Sequence, residues 1–102
     1  MIDSSIGFIG GGNMARSLIG GLVANGVAAQ RLWVAEPDAE RRAGLAARFG
    51  VNITADNNEL AAAVDALVLA VKPQQMQAVC GGIASTVHTR RPLIISIAAG
   101  LR

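Results

Sequence analysis

The chain has one cysteine, one histidine, one lysine and no tyrosine, and aromatic residues make up 3% of its 102 positions. Each scarcity excludes something. A lone Cys80 cannot close an internal disulfide, so a reducing, cytoplasmic setting is the expectation. His88 stands alone, with no Cys, Asp or Glu at ligand spacing, so no metal site is expected. Readers of nucleic acid carry a basic stripe interleaved with aromatics. Here the net charge is only +2, and the basic residues are scattered apart from the pairs Arg41-Arg42 and Arg90-Arg91, so no nucleic-acid partner is expected. Every long apolar stretch is broken by Gly, Asn or charge before reaching the roughly 20 residues that cross a bilayer. The first nine residues lack a basic start and carry Asp3 ahead of their apolar run, unlike a secretory signal. No membrane association follows from the sequence.

What remains is a chain that is 52% hydrophobic and 16% charged, a composition that fills a globular core. Its apolar residues alternate between two rhythms. Ile6-Gly7-Phe8-Ile9 is a short apolar run stopped by Gly10-Gly11-Gly12, which predicts a buried strand entering a tight turn. Met14, Ala15, Leu18, Ile19, Leu22 and Val23 then recur at helical spacing up to Asn25-Gly26. Leu32 to Ala35 predicts a second strand, and a helix from about Ala39 to Phe49 follows, stopped by Gly50. Val51 to Thr54 is a weak third strand, and Asn57 to Ala63 supplies one or two helical turns. Ala66 to Val71 is the continuous apolar run of a strand covered on both faces, ended by Lys72-Pro73. A helix from about Gln74 to Ser85 and a strand at Leu93 to Ile97 complete the series. Alternating strands and helices require right-handed crossovers and a parallel sheet. The expected fold is therefore a doubly wound α/β sheet, a Rossmann fold with five strands in the order 3-2-1-4-5. Residues 1–102 form one NAD(P)-binding domain in this reading, one strand short of the six-stranded form.

The stretch Gly10-Gly11-Gly12-Asn13-Met14-Ala15 matches G-x-G-x-x-A, and each small residue has a mechanical reason. Gly10 permits the tight turn, Gly12 lets the backbone approach a pyrophosphate, and Ala15 lets the helix lie close to the sheet. The free N–H groups of the helix start then face the anion. Glycine turns are common, but one placed directly between an apolar strand and an apolar-striped helix is the signature of a dinucleotide site. Glu36 falls about 24 residues beyond the turn, where the fingerprint places an acid on the adenosine ribose. Alone it favours NAD. Arg41 and Arg42, however, lie within reach of a 2′-phosphate, and Pro37 could turn Glu36 outward, so the residues leave NADP and NAD both open.

Three segments together carry a family resemblance: Ile6 to Ala15, Ala70-Val71-Lys72-Pro73-Gln74, and Ser96-Ile97-Ala98-Ala99-Gly100. Across residues 6 to 100 the chain resembles the pyrroline-5-carboxylate reductases. The opening motif would also suit the 3-hydroxyacid dehydrogenases; the second and third segments separate the two. The resemblance implies an oxidoreductase of proline biosynthesis, which transfers a hydride from NADPH, or less often NADH, to the C=N bond of 1-pyrroline-5-carboxylate. It further implies that Ile9, Gly10, Gly11, Gly12, Asn13 and Met14 hold the pyrophosphate and that Glu36 and Asn57 lie near the adenosine end. Ala70, Val71, Lys72 and Pro73, with Ile97, Ala98 and Ala99, line the crevice towards the nicotinamide. Glu36 departs from the small polar residue often found there in NADPH-preferring relatives. In that family the substrate carboxylate site and the homo-oligomer interface belong to a helical C-terminal domain, so the chain is expected to be truncated before it. No catalytic residue is therefore assigned.

Several residues also have a plainer reading. Lys72 is a candidate acid for the imine, against a Lys-Pro backbone that shapes the pocket while the ammonium reaches solvent; the second is the reading adopted. Cys80 shares an apolar stripe with Met76, Val79 and Ile83 and is expected to be buried and inert. His88 is expected on a surface loop, and Asn57 is either a helix cap or a cofactor contact. A non-catalytic NAD(P)-sensing domain remains the alternative from another functional class.

Overall fold

Ten elements alternate as the two rhythms require. In the computed structural model, which describes residues 4–10 and 12–97, the strands are β1 (Ile6–Ile9), β2 (Leu32–Ala35), β3 (Asn52–Thr54), β4 (Ala66–Leu69) and β5 (Leu93–Ser96). The helices are α1 (Asn13–Ala24), α2 (Ala39–Phe49), α3 (Asn57–Ala63) and α4 (Pro73–Arg90), and a 3₁₀ turn at Ala29–Arg31 leads into β2. All pairings are parallel and the order is β3-β2-β1-β4-β5, as expected. The register aligns Ile9 with both Ala35 and Leu69. The carboxyl ends of the three central strands therefore lie level along one edge.

Strand parity divides the core in two. Phe8 packs with Ala15, Ile19, Leu32, Val34, Leu45 and Val68 on the face covered by α1 and α2. Ile9 packs with Ala35, Leu60, Val64, Leu67, Leu69 and Ile83 on the face covered by α3 and α4. Phe8, Ile19, Leu32, Leu60 and Leu67 are fully buried, and side chains of this kind contribute roughly 1.5–3 kcal/mol each on burial. Gly7 faces α3 so closely that a Cβ there would lie 2.5 Å from Leu60 Cδ2. β5 is the exception, an edge strand with all four residues exposed.

Departures from the sequence reading are local. β4 ends at Leu69, and Ala70-Val71 belong to the turn beyond it. α4 continues past Ser85 to Arg90 and is closed by Arg91 in the left-handed conformation, φ 54°. His88 therefore lies in the last turn of a helix and not on a loop. Cys80 is exposed, against the expectation of burial, because Ile83 is the only α4 residue fully buried in the core. Asn57 is not the cap of α3. That role falls to Asp56, whose carboxylate accepts from the N–H groups of Asn58 and Glu59. The predicted residues Gly11, Ala98 and Ala99, and Gly100 of the third motif, lie outside the described residues.

Candidate functional site

A crevice of about 1080 Å³ opens along the carboxyl edge of the sheet, where the turns after β1, β2 and β4 meet. Its floor is the glycine turn. The Gly10 N–H donates to Ala35 O at 3.1 Å and the Ala70 N–H donates to Ile9 O at 3.0 Å, which stitches the turn between the ends of β2 and β4. Gly10 needs its freedom: φ is +103°, and a Cβ would stand 2.5 Å from Ala70 O. Gly12 differs. A Cβ there would meet nothing within 4 Å among the described residues and would project into open space.

The same Gly12 is the N-cap residue of α1, and it offers no side-chain acceptor. No acidic residue lies in the first turn either. The first N–H groups of an α-helix have no intrahelical partner, so those of α1 reach the crevice with the positive end of the helix dipole behind them. α2 and α3 are built differently. Asp38 caps α2 by accepting from the Arg41 N–H at 2.9 Å, Asp56 caps α3, and each helix carries a glutamate in its first turn. A dinucleotide pyrophosphate fits the α1 end on both counts: space where a side chain would stand, and donors without a local acceptor.

Eleven predicted residues among those described line this crevice. Ile9, Gly10, Gly12, Asn13 and Met14 come from β1 and the start of α1, Glu36 from the turn after β2, Asn57 from the first position of α3, and Ala70, Val71, Lys72 and Pro73 from the turn after β4 and the start of α4. Ile97 does not line it; its side chain packs against the cluster around Phe8 and Val68 on the α1 face. Lys72 is exposed and caps α4 without a side-chain hydrogen bond, with Pro73 following. Residues that the sequence did not assign to the site also line it, among them Gln75, Ala78 and Val79 of α4. An i, i+3, i+4 pattern at the start of the helix after Lys72-Pro73 was the available signal.

In the turn after β2, Glu36 is buried, 5% exposed. Pro37 does not turn it outward. Its Oε2 accepts the Asp38 N–H at 2.9 Å, and its own N–H donates to Thr54 O at 2.9 Å. The Thr54 hydroxyl donates to Glu59 and accepts the Asp56 N–H, which fixes the start of α3 and with it Asn57. Arg42 reaches back to donate to the carbonyls of Glu36 and Pro37 at 2.8 and 2.9 Å. Among the described residues no group of three or more His, Cys, Asp or Glu is placed to hold a metal, and no helix is long and apolar enough to cross a membrane.

Comparison with known proteins adds the following. The family model described as NADP oxidoreductase, coenzyme F420-dependent, matches residues 5–100. The chain is 49% identical over 101 residues to the pyrroline-5-carboxylate reductase of Pseudomonas aeruginosa, covering 99% of the chain and 37% of that relative. To the Escherichia coli reductase it is 39% identical over 101 residues, 98% of the chain and 37% of the relative. The structure of a pyrroline-5-carboxylate reductase from Coxiella burnetii superposes with a TM-score of 0.90 at 39% identity, covering 98% of the chain and 37% of that protein. That of the Plasmodium falciparum pyrroline carboxylate reductase with NADP bound superposes with a TM-score of 0.77 at 30% identity, covering 95% and 34%. The chain thus spans 37% of the length of each of these two curated relatives.

Proposed function

Since the chain belongs to the NADP oxidoreductase, coenzyme F420-dependent, family, we propose that it is the cofactor-binding part of a pyrroline-5-carboxylate reductase and holds NADP(H), with NAD(H) as the weaker ligand, in the crevice. The observation that carries the reading is the uncapped N-terminus of α1 beside the open space at Gly12. The relatives' names and the NADP in the Plasmodium falciparum structure support the cofactor and the reaction; neither the sensing domain nor the hydroxyacid dehydrogenase draws support from them.

Each predicted residue has its proposed place. Gly10 to Met14, Gly11 among them, cradle the pyrophosphate, with N–H donors from the start of α1. Glu36 and Asn57 flank the adenosine ribose. Ala70 to Pro73, and Ala98 with Ala99, border the nicotinamide end, while Ile97 supports that border from the core. When bound, the dinucleotide supplies a hydride for the carbon of the 1-pyrroline-5-carboxylate C=N bond, and a proton reaches the nitrogen to give L-proline. The chain's own contribution is to fix the cofactor against the sheet edge. We assign residues 1–102 to one dinucleotide-binding domain, with substrate positioning and homo-oligomer contacts in a region beyond it, so no catalytic residue is assigned within this chain. With no substrate-positioning group assigned in residues 1–102, the imine would meet a cofactor held by these residues alone only by diffusion, forfeiting an effective molarity that reaches on the order of 10⁵ M or more. A cytoplasmic location belongs to the same proposal, supported by an exposed thiol at Cys80 that a reducing compartment preserves.

The test is titration calorimetry of the chain with NADPH, alongside Gly12→Val. Binding by the parent and none by a folded variant is the expected result; equal affinities would remove the crevice as the site. An assay of NADPH oxidation with saturating 1-pyrroline-5-carboxylate then checks the division of labour. Turnover near a typical enzyme's roughly 10 per second would place catalytic groups inside this chain, with Lys72 the first to examine.

A further inference from the structure

Glu36 and Asn57 line the crevice from two different turns, the one after β2 and the one that opens α3. A single residue bonds to both turns. Thr54, the last residue of β3, accepts the Glu36 N–H on its carbonyl at 2.9 Å, while its hydroxyl accepts the Asp56 N–H at 3.0 Å and donates to Glu59 Oε1. Thr54 is buried, 8% exposed, and neither it nor Glu59 lines the crevice. We infer that Thr54 and Glu59 are positioning residues of the dinucleotide site: the hydroxyl relay between them sets where Asn57 stands relative to Glu36, and with it the affinity for the adenosine half that NADP(H) and NAD(H) share.

The inference rests on the cofactor reading above and deepens it. Asp56 is the N-cap of α3 and Glu59 stands three residues on, the spacing of a capping box, in which the glutamate reaches back to the N-cap N–H. Here it does not. The Asp56 N–H goes to the Thr54 hydroxyl, and Glu59 accepts from that same hydroxyl, so the box is closed through a side chain of the preceding strand. A box contained within α3 would stabilise the helix wherever it lay; one routed through β3 also fixes the helix on the sheet. The turn after β2 follows the same plan at its first step, the Asp38 N–H donating to Glu36 two residues back as the Asp56 N–H donates to Thr54. The bond from the Glu36 N–H to Thr54 O then couples the two turns.

α3 needs such a grip, because seven residues are too few to hold a helix by themselves. Its core side is anchored by Leu60 and Ala61, both buried. Another side is tied to α4: Asn58 Nδ2 donates to Gly82 O at 3.0 Å, and the Thr86 hydroxyl donates to Asn58 Oδ1 at 2.7 Å. What these contacts leave free is a shift of the first turn along the sheet edge, and the Thr54 relay removes it. Asn57 is the beneficiary. It is half-buried, and among the described residues its side-chain amide has no hydrogen-bond partner, so the amide is available to a ligand. Such a group serves only when held within about 0.5 Å of its productive place. A threonine suits the relay, since its hydroxyl accepts and donates at once and its branched Cβ restricts the rotamer.

The experiment measures dissociation constants of NADP⁺ and NAD⁺ by calorimetry for the 102-residue chain and its variants, with circular dichroism melts to establish folding. Thr54→Val keeps the side-chain shape and removes the hydroxyl. It is expected to weaken both dinucleotides alike, by about fivefold to tenfold, the scale of a hydrogen bond or two lost at the ribose. Glu59→Ala follows it and, at an exposed position, keeps the test open if Thr54→Val fails to fold. Thr54→Ser and Glu59→Gln, which restore the relay, stay within about twofold of the parent. Asp56→Ala lowers the melting temperature and leaves affinity within about twofold, which separates positioning from helix stability. In an Asn57→Ala background, Thr54→Val costs less than about twofold further, because the residue through which it acts is gone. Affinity unchanged in Thr54→Val and Glu59→Ala overturns the assignment while leaving the crevice standing. So does an equal loss in Asp56→Ala, or one that persists in full without the Asn57 side chain. A parent chain that binds neither dinucleotide overturns the crevice and the positioning role together.

Discussion

Two kinds of helix start occur in this molecule. α2 and α3 are closed by their own residues: Asp38 and Asp56 accept the first N–H groups, and Glu40 and Glu59 add negative charge to the first turn. α1 and α4 begin at Gly12 and Lys72, neither of which provides a side-chain acceptor, and no acid follows in either first turn. The closed starts flank the β2 and β3 turns, and the open starts frame the crevice. The difference teaches that an outside anion is expected to complete the structure at α1, since in α4 Pro73 has no N–H and the Gln75 N–H already donates to Lys72 O at 2.9 Å. A helix that supplies its own cap stabilises the fold; one that leaves its donors unanswered keeps part of its electrostatic stabilisation in reserve for a ligand.

Substitutions test that division, and the largest effect belongs to the glycine that shapes the open start. Gly10→Val must hold a β-branched residue at φ +103° with its Cβ against Ala70 O. Strain and overpacking together are expected to cost roughly 2–6 kcal/mol, a large share of a total stability of about 5–15 kcal/mol. A urea melt reads this directly, and an unchanged midpoint would mean that the turn relaxes freely.

Gly12→Asp converts an open start into a closed one. A carboxylate at the N-cap supplies the missing acceptor and faces the pyrophosphate with like charge. NADP⁺ affinity should fall by about a hundredfold or more, about 2.7 kcal/mol, while thermal stability holds or rises by a few tenths of a kcal/mol. If affinity survived, the donors of α1 would not be the anion site, and the contrast between the two kinds of start would carry no functional meaning.

The converse change opens a closed start. Asp56→Ala should cost about 1 kcal/mol, in a range of roughly 0.5–2, lowering the melting temperature by about 4–8 °C, and should change NADP⁺ affinity by less than about twofold. The smallest effect is expected at Lys72→Ala, because the side chain is exposed: stability within about 0.5 kcal/mol, and affinity lower by about fivefold at most, since a solvated charge contributes no more than about 1 kcal/mol. A hundredfold loss there would bring the ammonium into the site.

The sequence disclosed these features unevenly, and the reasons are physical. β1, the glycine turn and α1 were legible because a buried strand, a turn with several glycines and an apolar stripe at helical spacing each leave separate marks. Strand order followed from alternation and handedness. The end of α4 was not legible. Thr86, Val87 and Thr89 are weak helix formers, and the helix is closed by Arg91 in a conformation that glycine usually marks. Cys80 misled because a stripe of four apolar residues implies burial, whereas α4 buries only Ile83 fully. The cap of α3 fell between Asp56 and Asn57, both competent types, and only the backbone says which stands first. The position of Glu36 directly after β2 was legible, but its orientation depends on a hydrogen bond from the Asp38 N–H that no spacing rule encodes.

The exposed edge strand has a consequence in time. β5 donates to β4 through alternate residues: the Leu93 N–H meets Asp65 O at 2.9 Å and the Ile97 N–H meets Leu69 O at 3.0 Å. Parallel pairing turns the N–H groups of Ile94 and Ser96 the other way, towards the side of β5 on which no described strand pairs. Transferred to heavy water, adjacent amides of one strand would therefore keep different clocks. Ile94 and Ser96 would exchange almost as fast as solvent reaches them, while Leu93 and Ile97 wait for the strand to lift from β4. The slower pair thus reports how often the sheet sheds its last strand, and that interval would lengthen in any assembly that covers this edge.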